Sequence, residues 1–151
     1  MISYYKGNLL DSGCDIIAHQ VNLQGVMGGG LAKQIAQKYP KCEEQYKRWC
    51  TCKNFSKEKL LGDGIIVKIA EHKFIENCFT QDENFNTDYN AVRKCFIYLY
   101  NLCKFQGFKT IGVPKNYGCG IAHGDWQKVE QIFKDIFENE PEIDFQIWEL
   151  I

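Results

Sequence analysis

Residues 15–21 read DIIAHQV, a run that is almost entirely apolar and carries one histidine, His19, near its end. A strand with one face in water alternates apolar and polar residues, whereas a strand covered on both faces is apolar nearly throughout. The run therefore predicts a strand inside a sheet that has helices packed on both of its faces. This is the arrangement of an α/β domain.

Strand-like and helix-like segments alternate along the rest of the chain. Apolar residues recur at spacings of three and four in the helical segments, and Thr87 and Gly107 are expected to cap and to end the longest of them. The alternation predicts a mixed, largely parallel sheet in one domain spanning 1–151, with strands 2–6 and 15–21 as neighbours. The predicted strands are 2–6, 15–21, 64–70, 74–80, 109–113 and 143–150, and the predicted helices are 31–39, 40–49, 87–106 and 126–136.

The composition limits the function classes. A net charge of −1 and a pI near 6.3 provide no general attraction to nucleic acid, so we expect no general nucleic-acid binding. No apolar run approaches the roughly 20 residues that cross a bilayer, so no membrane contact is expected. Eight cysteines without a secretory pattern predict reduced thiols and a cytoplasmic location. Cys50 and Cys52 have CxC spacing without a second pair, so we predict neither a metal nor a cofactor.

Two glycine-rich loops carry the functional signal. The first glycine loop (residues 22–30) and the second glycine loop (residues 114–126) each lie between an apolar strand and a helix. Exposed backbone N–H groups and a helix dipole favour an anion at such a place. Neither loop has the GK[ST] of a Walker A loop or the GxGxxG of a dinucleotide-binding turn. One such loop is equally well explained by tight turns, but two favour a diphosphate held from opposite sides.

The motifs of the chain resemble those of macrodomains. The resemblance is strongest in HQVNLQGVMGGGLAKQIAQKYP (19–40) and continues in GNLL (7–10), DIIAH (15–19), 77–81, TDYNAV (87–92) and 114–126. These segments are similar to the branch that contains the yeast ADP-ribose-1''-phosphate phosphatases and their bacterial and phage relatives. The resemblance implies a three-layer α/β/α fold that binds ADP-ribose in a crevice. Residues 47–73 match the family pattern weakly.

The resemblance also implies where ADP-ribose lies. Adenosine is expected near the first two strands and the diphosphate between the glycine loops. Asp15 is expected to accept from the adenine amino group, although an acid that starts a strand is as readily a solvated or turn-capping residue. The implied ligand-binding residues are Asn8, Leu9, Asp15, Gln20, Val21, Met27, Gly28, Gly29, Gly30, Leu31, Ala32, Thr80, Gln81, Pro114, Lys115, Tyr117, Gly118, Cys119, Gly120, Ile121 and Ala122.

Four residues are candidates for catalysis. By resemblance, His19 and Asn22 face the distal ribose, where an imidazole transfers protons near pH 7 and an amide orients hydroxyls or water. The alternative for His19 is a buried structural histidine. His123 and Asp125 are further candidates, but an acid in the first turn of a helix is stabilised by the dipole without any catalytic role.

The chain departs from a related macrodomain branch that removes ADP-ribose from protein carboxylates or DNA bases. That branch is thought to use a lysine and an acid where this sequence has Gln81 and Ala122. A glutamine forms no adduct with an opened ribose, and an alanine transfers no proton. Three hypotheses follow: a mono-ADP-ribosyl hydrolase or ADP-ribose-1''-phosphate phosphatase, a non-catalytic ADP-ribose reader, or an α/β domain that binds another nucleotide or phosphate. The expected partner is ADP-ribose or an ADP-ribosylated protein, nucleic acid or small metabolite.

Overall fold

The computed structural model describes residues 1–52, 56–120 and 122–151. Each predicted strand and helix is present, and each boundary lies within two residues of its expected position. In the described ranges, the strands are β1 (Ile2–Lys6), β2 (Ile16–Val21), β3 (Gly64–Ala70), β4 (Lys73–Phe79), β5 (Thr110–Pro114) and β6 (Asp144–Glu149). The helices are α1 (Gly30–Lys38), α2 (Pro40–Cys50), α3 (Tyr89–Gln106) and α4 (Trp126–Phe137).

The strands form one mixed sheet in the order β1-β6-β5-β2-β4-β3. Only β3 runs antiparallel to its neighbour, so the expectation of a largely parallel sheet is confirmed. The expectation that β1 and β2 are neighbours is wrong, because β6 and β5 lie between them. β1 instead pairs with the closing strand β6, from Ile2 opposite Phe145 to Lys6 opposite Glu149.

Two hydrophobic cores give the domain its three layers. Along β2, Ile16 and Ala18 pack into the core beneath α3 and α4, whereas Ile17 and Val21 pack into the core beneath α1 and α2. The apolar run therefore has the two covered faces that its composition predicts. The strands β1, β6, β5, β2 and β4 are parallel, so their carboxyl ends lie on the same side of the sheet. Loops that bind ligands commonly lie on that side.

Capping residues fix the ends of the helices. Asp88, rather than the expected Thr87, caps α3, and its carboxylate accepts from the Ala91 N–H at 2.9 Å. Thr87 is otherwise engaged, since its hydroxyl donates to the carbonyl of Gly118. Gly107 ends α3 with a φ of 77°, in the left-handed region that glycine adopts without strain.

The described residues include all eight cysteines and the four helices. All eight cysteines have free thiols, and Cys50 is buried at the end of α2 while Cys52 is partly exposed. No cluster of three or more His, Cys, Asp or Glu side chains that could hold a metal occurs within the described ranges. In the same ranges, none of the helices is both long and apolar enough to cross a bilayer.

Candidate functional site

A cavity of about 610 Å³ opens between the two glycine loops, at the carboxyl ends of β2 and β5. It brings together most of the residues that the sequence nominated from four separate segments. Those that line it are His19, Gln20, Val21, Asn22, Gly28, Gly29, Gly30, Leu31, Ala32, Gln81, Pro114, Lys115, Tyr117, Gly118, Gly120 and Ala122. Ile121 lies outside the described residues.

The first glycine loop ends where α1 begins. Gly29 is the extended residue before the helix, and Gly30 has a φ of +55°, a left-handed conformation that favours glycine. The Lys33 N–H donates to the Gly29 carbonyl at 3.3 Å, and it is the first N–H of α1 to bond back to the loop. The N–H groups of Leu31 and Ala32 precede it, as in the first turn of any helix. The cavity wall therefore contains a helix N-terminus suited to an anion.

Tyr46 of α2 holds the first glycine loop in place. Its buried hydroxyl accepts from the N–H groups of Gly25 at 3.0 Å and Val26 at 3.1 Å. It donates to Asn22, whose side-chain Oδ1 lies 2.6 Å away. Burial raises the pKa of the Tyr46 hydroxyl, which keeps it protonated and able to donate. The sequence placed Tyr46 in a helix but contained no local signal that it reaches this loop.

The Asn22 side chain is used within the loop. Its Nδ2 donates to the Val26 carbonyl at 3.0 Å, and its Oδ1 accepts from the Gln24 N–H at 2.9 Å as well as from Tyr46. These bonds leave one amide hydrogen for a ligand. The main role of the Asn22 side chain is therefore to hold the loop that forms the cavity wall, and little of its amide is left to bind a ligand.

The second glycine loop is held by Thr87. The Gly118 carbonyl accepts from the Thr87 hydroxyl at 2.6 Å and from the Gly124 N–H at 2.8 Å. Gly118 has a φ of +71°, and a Cβ there would lie 2.7 Å from Thr87 Oγ1 and 3.0 Å from Gln20 Nε2. Glycine is therefore required at position 118 by both conformation and space.

A chain of side-chain amides joins three walls of the cavity. Gln20 Nε2 donates to the Thr80 carbonyl at 3.3 Å and to the Thr87 hydroxyl at 3.0 Å. Gln20 Oε1 accepts from Gln81 Nε2 at 2.9 Å. The end of β2, the segment after β4 and the second glycine loop are thus fixed relative to one another. The orientation of the Gln20 amide follows from the Thr80 carbonyl, which only accepts.

His19 is buried, with 2% of its surface exposed, although it lines the cavity. Its Nε2 lies 2.5 Å from Asn77 Oδ1, and Asn77 Nδ2 donates to the Cys42 carbonyl at 3.0 Å. Since Oδ1 is therefore the acceptor, Nε2 carries the proton and Nδ1 is unprotonated. Burial lowers the pKa of His19 to about 4, so the ring is neutral at pH 7 and is a weak base.

The fold agrees with comparisons to known proteins. The profile of the Macro domain family matches residues 18–133, which is more than half of the chain. The chain is a macrodomain.

Relatives of this macrodomain carry two kinds of hydrolase name. The ADP-ribose 1''-phosphate phosphatase of Candida albicans is 27% identical over 164 residues, covering 92% of this chain and 95% of the relative. The DNA ADP-ribosyl glycohydrolase of Mycobacterium tuberculosis is 27% identical over 152 residues, covering 98% of this chain but only 42% of the relative. Among solved structures, the macrodomain of Mycobacterium tuberculosis DarG has a TM-score of 0.84 at 26% identity, covering 98% of this chain and 97% of that one.

The macrodomain places two nominated acids away from the cavity. Asp15 precedes β2 at the amino ends of the strands, on the side of the sheet opposite the cavity. Its carboxylate accepts from the N–H of Lys109 at 2.8 Å and lies 3.8 Å from the Lys73 ammonium. Its expected contact with adenine therefore has no support in the geometry. Asp125 is exposed and caps α4, accepting from the Gln127 N–H at 3.0 Å. The structural alternative considered for Asp125 accounts for this contact.

Other nominated residues lie behind or beside the cavity wall. The Thr80 hydroxyl is buried and lies 2.7 Å from the Tyr117 hydroxyl. Asn8 caps a short 3₁₀ turn, accepting from the Leu10 N–H at 3.0 Å. Leu9, Met27, Cys119 and the exposed His123 are likewise absent from the described cavity lining.

Three lining residues were not predicted from the sequence. They are Val26, Phe85 and Asn116. Asn116 and Phe85 both have φ near 63°, in the left-handed region that non-glycine residues rarely adopt. Such a conformation cannot be inferred from residue type alone, although Asn is among the residues that tolerate it best.

Proposed function

We propose that this macrodomain binds ADP-ribose, either free or attached to a protein, nucleic acid or small metabolite, and hydrolyses a bond at or near the anomeric carbon of the distal ribose. The observation that carries the proposal is the pair of glycine loops facing each other across one cavity of about 610 Å³. That volume lies within the range of small-molecule and cofactor sites. The two kinds of hydrolase among the relatives support the same reaction class.

In this proposal, the diphosphate lies between the N-terminus of α1 and the second glycine loop. Backbone N–H groups of Leu31 and Ala32 donate to phosphate oxygens from one side, and the loop around Gly118 approaches from the other. No cation is required for this contact, because the donors are part of the backbone. The distal ribose is then expected beside His19 and Asn22, at the end of β2.

The proposed reaction is the replacement of the leaving group on the anomeric carbon by water. The water oxygen forms a bond to that carbon, the bond to the leaving group breaks, and the proton of the water passes to the leaving group. The unprotonated Nδ1 is the ring nitrogen of His19 that remains to accept a hydrogen bond from the water, since Nε2 is bound to Asn77. With a pKa of about 4, His19 contributes more by positioning than by proton transfer.

Gln81 and Asp125 are assigned other roles in the proposal. Gln81 is fixed by Gln20 and forms no covalent adduct, so the lysine-dependent route does not apply. Asp125 supports the second glycine loop by starting α4 and is assigned no role in proton transfer. Its replacement is therefore expected to lower stability rather than to abolish turnover selectively.

A non-catalytic reader is the second candidate, and one observation favours it. No Asp or Glu side chain is among the described residues that line the cavity, and the only imidazole there is neutral and buried. A site that lacks an effective acid and base still binds the ligand through backbone donors. The reader hypothesis thus predicts the same affinity without turnover.

A substrate panel separates the two candidates. The protein is incubated with ADP-ribose 1''-phosphate, ADP-ribosyl-glutamate protein, thymidine-linked ADP-ribosyl DNA and O-acetyl-ADP-ribose, and released products are quantified. Calorimetry with ADP-ribose, AMP and ATP measures binding in parallel. Turnover of at least one substrate supports the hydrolase, and ADP-ribose binding without any turnover supports the reader. Equal affinity for AMP, ATP and ADP-ribose would contradict both.

A further inference from the structure

The hydrogen bonds of Gln20 allow its amide only one orientation. Its Nε2 donates to the Thr80 carbonyl at 3.3 Å and to the Thr87 hydroxyl at 3.0 Å. The Thr80 carbonyl has no hydrogen to donate, and the Thr87 hydroxyl already donates its single hydrogen to the Gly118 carbonyl at 2.6 Å. Both partners therefore need a donor from Gln20, and both hydrogens on its Nε2 are used.

The orientation of Gln20 fixes that of Gln81. The Gln20 amide faces Gln81 with Oε1, which only accepts, and Gln81 Nε2 donates to it at 2.9 Å. If the Gln81 amide were turned over, two carbonyl oxygens would face each other without a hydrogen between them. Gln81 is therefore held with its nitrogen toward Gln20 and with its own Oε1 on the other side of the amide.

This Gln81 oxygen has no hydrogen-bond partner among the described residues. Gln81 is partly exposed and lines the cavity, so Oε1 and the second Nε2 hydrogen are the groups that its amide offers to a ligand. A ligand that covers the oxygen removes its contact with water. Binding is then favourable only if the ligand supplies a donor in place of that water.

The surroundings of Gln81 indicate which part of the ligand it meets. Gln20 follows His19 in β2, and an antiparallel bridge between Gln81 and Thr87 holds the segment after β4 beside the second glycine loop. The proposed function puts the distal ribose beside His19 and the diphosphate between the glycine loops. Phosphate oxygens accept hydrogen bonds and cannot pair with a carbonyl oxygen, whereas the hydroxyls of a ribose can donate to it.

We propose that Gln81 determines specificity by accepting a hydrogen bond from a ring hydroxyl, 2'' or 3'', of the distal ribose, an assignment that rests on the proposed function. The hydroxyl that Gln81 recognises must be unmodified, because an ester on it leaves no hydrogen to donate. The preferred substrates are then ADP-ribose derivatives that carry their leaving group on the anomeric carbon alone. Derivatives acylated on the recognised hydroxyl should bind weakly.

The test measures the binding of ADP-ribose and of two analogues by calorimetry, one without the 2''-hydroxyl and one without the 3''-hydroxyl. In the wild-type protein, one analogue should bind roughly 5- to 100-fold more weakly than ADP-ribose, because it leaves Gln81 Oε1 covered and unpaired. Gln81→Leu removes the oxygen and keeps an apolar side chain of similar size. In this variant the same analogue should bind within about threefold of ADP-ribose.

Gln20→Leu tests the fixed orientation separately. It keeps Gln81 but removes the acceptor that holds its nitrogen, so the Gln81 amide is free to turn. The preference for the hydroxyl should then be smaller than in wild type but larger than in Gln81→Leu. The ratio of the two affinities is the deciding measurement, because a general loosening of the wall lowers both affinities alike.

Gln127→Leu is the matched control. Gln127 is exposed on α4 and does not line the cavity, so its replacement removes a glutamine amide without touching the site. This variant should keep the wild-type preference. Melting temperatures report whether each variant is folded. If Gln81→Leu is not, Gln81→Met takes its place, because it keeps the unbranched shape of glutamine without the amide.

Two results would overturn the role of Gln81. If both analogues bind to wild type as tightly as ADP-ribose, neither ring hydroxyl is recognised. If the weaker binding of one analogue persists in a folded Gln81→Leu or Gln81→Met variant, another residue recognises the hydroxyl. ADP-ribose binding without a hydroxyl preference refutes only this role. Absence of ADP-ribose binding to folded wild type would refute the proposed function, and the role of Gln81 with it.

Discussion

The two hydrogen bonds of the His19–Asn77 pair tie β2, β4 and α2 together beneath the first glycine loop. Because His19 Nε2 donates to Asn77 and the ring is buried, truncation leaves both a void and an acceptor without a partner. His19→Ala should therefore lower the free energy of unfolding by about 2–4 kcal/mol at pH 7.5. Urea unfolding measures the loss. His72→Ala, at an exposed position, is the control.

The same histidine gives a pH dependence with a definite sign. In the unfolded chain His19 binds a proton as the pH falls below 6.5. In the folded protein it binds that proton only near pH 4, because its pKa is lowered to about 4. The stability that neutral His19 contributes is present above pH 6.5 and is lost as pH falls toward 4. The stability gap between wild type and His19→Ala should shrink over this window. A gap that stays constant would contradict the lowered pKa.

Glu76 behaves in the opposite way. It is fully buried in β4, neither carboxyl oxygen has a hydrogen-bond partner among the described residues, and burial raises its pKa to about 8. The folded state therefore keeps a proton that the unfolded chain releases above about pH 4.5, so stability falls as pH rises toward 8. Between pH 6.5 and 8, where most of the His19 contribution is already present, the loss should be roughly 1–2 kcal/mol.

Glu76→Gln tests this assignment, because it keeps the shape of the side chain and removes its titration. Unfolding free energies at pH 6.5 and pH 8 should differ less in the variant than in wild type. Gly64, which lies against the carboxyl group, must stay glycine in both proteins, since a Cβ there would lie 2.0 Å from Oε1. Identical slopes for the two proteins would mean that Glu76 is already ionised in the folded state.

At the scale of elements, α2 supports the first glycine loop through one hydroxyl. Tyr46→Phe removes the partner of the Gly25 and Val26 N–H groups and of Asn22. We expect a loss of about 1–3 kcal/mol in stability and a weaker affinity for ADP-ribose, because the loop is no longer held. Tyr100→Phe is the control, since its hydroxyl donates to Glu140 away from the cavity. Unfolding and calorimetry report the two effects, and unchanged affinity would show that the loop needs no support from Tyr46.

The start of α1 is tested by Gly29→Glu. Gly29 is extended, with a φ of −147°, and exposed, so a side chain is accommodated without strain. The carboxylate would stand against the diphosphate in the proposed site, and ADP-ribose binding should be lost while the fold is kept. Gly29→Gln separates charge from size, because it has nearly the same shape and no charge. Full binding by a folded Gly29→Glu variant would remove this loop from the site.

Elements were predicted well because their signals are local. The apolar run of β2 and the stop at Gly107 are each contained within a few consecutive residues. The contacts that build the site are not local, since His19 and Asn77 are 58 residues apart and Tyr46 is 24 residues from Asn22. Asp15 lies four residues before His19, a span of about 13 Å along a strand, which places it at the amino ends of the strands, away from the cavity.

For the whole molecule, ligand binding and folding are linked through the one cavity. A ligand that binds only the folded state at 100 times its Kd adds about 2.7 kcal/mol to stability. For a chain of 151 residues, ADP-ribose at that level should raise Tm by about 5–10 °C. Because the proposed site holds two linked phosphates between the glycine loops, AMP at the same concentration should raise Tm less. Gly29→Glu should show no shift, and an equal shift with AMP would mean that the second glycine loop contributes nothing to recognition.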